Sequence, residues 1–116
     1  MLSFRQRHKF MKYEPKYGHE LESLLRKAAK SSALLHEFLG DLLSLKEYKD
    51  LAVRWQIVKL MEQGLSNRQI IKRLKVSPVT VTRGAKEMFN KHGGFRLMLN
   101  KHYRALKLRK PKKIAR

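Results

Sequence analysis

From about His19 onward, apolar residues recur at the intervals of an α-helix. Leu21, Leu24, Leu25 and Ala28 fall at i, i+3, i+4 and i+7, which is one helical stripe. Ser31 and Ser32 interrupt it, and Ser32 is a candidate cap for a second short helix. The segment that follows, ALLHEFLGDLLSL, is apolar on more than one side. Leu34, Leu35, Phe38, Leu39, Leu42, Leu43 and Leu45 exceed what one face of a lone domain needs. A helix apolar all round must be buried, and in so small a protein a second copy of the chain is the natural cover.

Ser44 opens a third helix, with Glu47 three residues on in a capping-box pattern. Leu51, Trp55, Val58 and Met61, with Ile57 and Leu60, give it a broad apolar stripe to about Gln63, where Gly64 supplies a stop. Ser66 or Asn67 caps a short helix containing Ile70, Ile71 and Leu74. Lys75 to Ser77 form a turn, and Ser77-Pro78 pairs an N-cap with proline at the first helical position. That helix is expected to run to about Asn90, and His92-Gly93-Gly94 ends it. A last helix covers Phe95 to about Leu106, with Phe95, Leu99, His102, Tyr103 and Leu106 near one face. The reading is all-α, about six helices with a helix-turn-helix at about 66–90. It places a basic flexible arm at 1–16, a helical domain at 17–107 and a basic tail at 108–116.

Charge changes this picture most. The 116 residues carry a formal net charge of +19. A polyanionic partner follows. Nucleic acid is favoured over an anionic membrane, because these helices look core-forming rather than surface-lying. The chain has no cysteine, so neither a disulfide framework nor a cysteine zinc site is available. The first residues lack an apolar signal core, and no apolar run approaches the ~20 residues of a membrane span. The expectation is a cytoplasmic, nucleoid-associated protein with no membrane partner. His8, His19, His36, His92 and His102 have no metal-ligand spacing, and no catalytic arrangement or glycine-rich phosphate loop is recognisable. Neither a metal nor an enzymatic activity is expected.

Within the helix-turn-helix, Ile70, Leu74, Val76 and Val81 have the spacing of a two-helix core. The second helix then offers its other face to a DNA major groove. Val79 and Thr82 suit contact with base edges or thymine methyls. Ser77 and Thr80 suit phosphate at the helix N-terminus. Arg68 and Lys72 reach the backbone or, for Arg68, a guanine; Lys86 is a phosphate neighbour. The bland alternative is a solvated polar face. Lys75 stands where many such motifs have glycine, so it must adopt a left-handed backbone or the turn must differ.

The run VTVTRGAKEM resembles the recognition helix of the Trp repressor superfamily, through Thr80, Thr82, Arg83 and Gly84. The resemblance extends back through Arg54, Ile57, Val58, Gly64, Ser66 and Arg68 and covers roughly residues 20–106. It implies an intertwined all-α homodimer that presents two reading heads to successive major grooves of double-stranded DNA, about 34 Å apart. A near-palindromic target follows.

The same resemblance implies a corepressor pocket. In the family two arginines sandwich an indole ring, and here they correspond to Arg54 and Arg83. The hydroxyl that holds the carboxylate corresponds to Ser44, Leu43 matches, and Gly84 leaves room beside the ring. Asp41 replaces an apolar residue whose carbonyl the family uses. Glu87 replaces a small serine near the ligand's amino group; it either pairs with a ligand ammonium or folds into the pocket onto Arg54 or Arg83. L-tryptophan or a related small molecule is therefore one reading and a ligand-independent DNA binder the other, with no cofactor required. The functional expectation is a sequence-specific transcriptional regulator that represses. Its rivals are a low-specificity architectural DNA-binding protein and an RNA-associated factor working through the basic tails. A replication role is open on fold alone.

Overall fold

The computed structural model of the chain describes residues 15–88 and 92–105, and for 103–105 the backbone alone. Six helices lie among them: α1 Pro15–Ala28, α2 Ser32–Leu42, α3 Leu45–Glu62, α4 Asn67–Leu74, α5 Pro78–Met88 and α6 Gly94–Ala105. None is long and apolar enough to cross a membrane. The chain divides into two compact units, residues 1–49 and 50–116.

In the first unit α1 packs on α2. Helix α1 begins at Pro15, earlier than the apolar stripe suggests. Proline is at home in a first turn, where its missing N–H would have no partner. Lys16 therefore belongs to a helix, while residues 1–14 of the expected arm lie outside the described residues. The cap of α2 is Ser31 rather than Ser32: extended at φ −131° and ψ 122°, it accepts the Leu34 N–H at 3.2 Å. Ser44 caps α3 as expected, accepting from the Glu47 N–H at 3.1 Å while its own N–H donates to Glu47 Oε1 at 2.9 Å. His36 meets the Tyr48 ring edge-on, centroids 6.4 Å apart. Little is buried here. Ala28 is the buried apolar residue of this unit among the described residues, whereas Leu34 is 55% and Leu45 71% exposed.

The second unit holds the core. Ile57, Leu60, Leu65, Ile70 and Val81 form one buried cluster, with Val53, Met61, Ile71, Leu74 and Val76 packed against it. The chain turns from α3 into this cluster at Gly64, whose φ of 93° is a conformation that suits glycine. The Leu65 N–H donates to Leu60 O at 3.1 Å and the Gly64 N–H to Met61 O at 2.9 Å. This double closure is a Schellman motif, and its hydrophobic contact is the buried pair Leu60 and Leu65. Helix α6 is anchored by the fully buried Leu99, by the ion pair of Arg96 with Glu62, and by His102, whose ring stands edge-on to Trp55 at 5.9 Å. Trp55 is half-buried. The side chain of Tyr103, and Leu106 altogether, lie outside the described residues.

Candidate nucleic-acid interface

Two hydrogen-bonded caps set the geometry of α4 and α5. Ser66 accepts the Gln69 N–H at 3.2 Å, and Gln69 Oε1 accepts the Ser66 N–H at 2.8 Å, a complete capping box. Ser77 accepts the Thr80 N–H at 3.2 Å, and the two hydroxyls share a bond of 2.8 Å. Between them lies Lys75, at φ 56° and ψ 47°, with its N–H donating to Ile71 O at 2.9 Å. Lysine does take the left-handed backbone, at a strain of about 1–2 kcal/mol. Val76 then tucks against the core, and α5 packs on both α4 and α6.

Helix α5 is two-faced. Val81 and Gly84 are buried, with Ala85 and Met88 half-buried on the same stripe. Opposite them Val79, Thr82, Arg83 and Lys86, at i, i+3, i+4 and i+7, are all exposed. Val79, an apolar side chain at the N-terminal end of this stripe, is 67% exposed. The Thr82 hydroxyl donates to Pro78 O at 2.9 Å. Its proton is therefore engaged, leaving its lone pairs and methyl to face outward. Thr80 is half-buried and tied to Ser77, so both hydroxyls work first in holding the helix start. On α4, Arg68 and Lys72 are exposed one turn apart.

The electrostatics of this surface are one-sided. From Gln63 to Lys86 the sequence contains Arg68, Lys72, Arg73, Lys75, Arg83 and Lys86 and no carboxylate. All six cations are exposed, and among the described residues none is ion-paired. Six exposed cations with no acid between them raise the local positive potential, which favours a polyanionic partner. Arg73 and Lys75 were not picked out by spacing. The absence of acids from Gln63 to Lys86, up to Glu87 near the end of α5, is the sequence signal that brings them in.

A family model described as Trp repressor protein matches residues 19–103. The chain belongs to the Trp repressor family. This is a family of DNA-binding helix-turn-helix regulators of transcription rather than of enzymes, and DNA is the partner it implies. No curated protein and no solved structure matches the chain.

The positions that the family would give to a corepressor are distributed over both units. Leu43, half-buried, closes α2 with its N–H on Leu39 O at 3.0 Å, and the Ser44 side chain caps α3. In the second unit Arg54 and Arg83 are exposed and Glu87 is half-buried. Gly84 has a definite neighbour: a Cβ built on it would lie 2.7 Å from Ile57 Cγ2. The space left by its missing side chain is thus taken by Ile57. Among the described residues no group of histidines and carboxylates could hold a metal ion.

Proposed function

We propose that this protein is a sequence-specific, double-stranded DNA-binding transcriptional repressor that acts as a homodimer on near-palindromic sites. The observation that carries this reading is α5: a buried stripe through Val81 and Gly84, and an exposed one that runs Val79, Thr82, Arg83, Lys86. Val79 and Thr82 read bases, Arg68, Lys72 and Lys86 hold phosphates, and Ser77 and Thr80 fix the helix end that approaches the backbone. The second copy covers the leucines that the first unit leaves exposed. Two reading heads then enter successive major grooves on one DNA face. Repression follows from occupying a promoter, the simplest outcome of tight binding.

Gating by an amino-acid-like corepressor is the second reading, supported by the presence of both Arg54 and Arg83, whose guanidinium planes suit an aromatic ring.

Selection of bound duplexes from a random library at ~150 mM salt, where non-specific contacts are partly suppressed, tests both. A near-palindromic motif is expected. A motif strengthened by L-tryptophan would establish gating by that ligand, and one indifferent to it would leave an ungated repressor. No enrichment in either condition would overturn sequence-specific recognition. Architectural DNA binding or RNA binding through the basic tails would then be the better account, with a specificity ratio near one.

A further inference from the structure

Lys75 is the one non-glycine residue with positive φ among the described residues. At φ 56° its Cβ crowds the neighbouring carbonyl, so glycine or asparagine is the low-energy occupant. Its backbone duty, an N–H donated to Ile71 O at 2.9 Å, requires no particular side chain. The side chain is exposed, and among the described residues its ammonium has no ion-pair partner. The fold at this position calls for a small or amide residue, yet it holds a long cation.

Its surroundings suggest a use for that cation. Arg68, Lys72 and Lys75 stand at i, i+4 and i+7, so Lys75 continues the exposed basic row of α4 to its C-terminal cap. Two residues later Ser77 opens α5, whose first exposed side chain in the reading stripe is Val79. No acid intervenes from Gln63 to Lys86 to compete for the ammonium.

We infer that Lys75 is a phosphate-contacting residue that anchors the turn of the helix-turn-helix to the DNA backbone flanking the groove read by α5. This rests on the DNA-binding reading above. A lysine ammonium acts as a point charge on phosphate and carries no base information, so the contact adds affinity on every sequence alike.

The test compares the full chain with Lys75→Gly and Lys75→Asn, both suited to the left-handed backbone, and with Lys75→Arg, which keeps the charge. Thermal midpoint is measured on each free protein. Affinity for a cognate and a scrambled duplex is measured between about 50 and 200 mM salt. The glycine and asparagine variants should melt no lower than the parent and bind both duplexes more weakly by the same factor. For each chain bound, the affinity lost over that fourfold rise in salt should shrink by about 3.5-fold, one phosphate contact's worth. Lys75→Arg should retain the parent's salt dependence. Glycine and asparagine variants that bind like a parent able to discriminate the two duplexes would overturn this assignment and leave the DNA reading intact. A loss confined to the cognate duplex would also overturn it, by making Lys75 a base reader. A parent that binds neither duplex would remove both readings.

Discussion

Gly84 of α5 lies against Ile57 of α3, so closely that a methyl group on the glycine would sit 2.7 Å from Ile57 Cγ2 and 3.5 Å from its Cβ. Ile57 is fully buried and β-branched, so it has few rotamers to retreat into. This contact sets how near α5 comes to the core. Gly84→Ala gains up to about 1 kcal/mol of helix propensity but overpacks the contact by about 1–3 kcal/mol. We expect a net loss of about 1 kcal/mol in denaturant unfolding, with Gly84→Val losing more. A variant as stable as the parent would mean that Ile57 yields easily.

The orientation of α4 depends on its capping box. Ser66→Ala removes the acceptor for the Gln69 N–H and should destabilise the fold by about 0.5–2 kcal/mol. Hydrogen exchange should show the Gln69 amide losing protection before the α5 amides do. Unchanged exchange at Gln69 would mean that the cap is dispensable.

Leu34 and Leu42, both exposed in the single chain, are assigned to a subunit interface by the proposed dimer. Sedimentation should find two chains associated at micromolar concentration, and Leu34→Glu should shift the distribution toward monomer by placing an unpaired charge in that interface. A parent that sediments as a monomer would remove the dimer.

Helix α6 is fastened by Arg96 to Glu62 as well as by Leu99. Arg96→Ala should cost about 1–3 kcal/mol, since it strips a charge-assisted hydrogen bond from a mostly buried carboxylate. Trp55, the single tryptophan of the chain, stands against His102 of α6 and should report the loosening as a change in fluorescence. Emission unchanged in a measurably destabilised variant would place the loss elsewhere.

Helix ends were the most legible part of this fold, because caps are local chemistry. Ser44 with Glu47, Ser77 before Pro78, and Gly64 all sit where side-chain type alone predicts a terminus; at α4 the pattern leaves Ser66 and Asn67 open, and the box with Gln69 settles on Ser66. The start of α1 was not legible, since a proline reads equally as a breaker and as a first-turn residue. At the adjacent serines the pattern points to Ser32, one residue late: the backbone that leaves the helix extended is at Ser31, and residue type does not distinguish the two. The exposed stripe of α5 could be read from the 3.6-residue period once Val81 was placed inside. The left-handed Lys75 could only be posed as a dilemma, because propensity argues for glycine there. Gly84 suggested free space, whereas its reason for being glycine depends on Ile57, 27 positions earlier in the chain, facing it. Contacts of that kind are settled by packing and leave no trace in local pattern.

The central claim is that the exposed stripe of α5 separates base reading from phosphate holding. Comparing Val79→Ala, Thr82→Ala and Lys86→Ala on a cognate and a scrambled duplex tests it most directly. The first two should lose discrimination at one base pair each, by about 1–3 kcal/mol, with little effect on the scrambled duplex. Lys86→Ala should weaken both duplexes equally and flatten the salt dependence. Equal losses on both duplexes for all three variants would contradict the assignment of α5 as the helix that reads sequence.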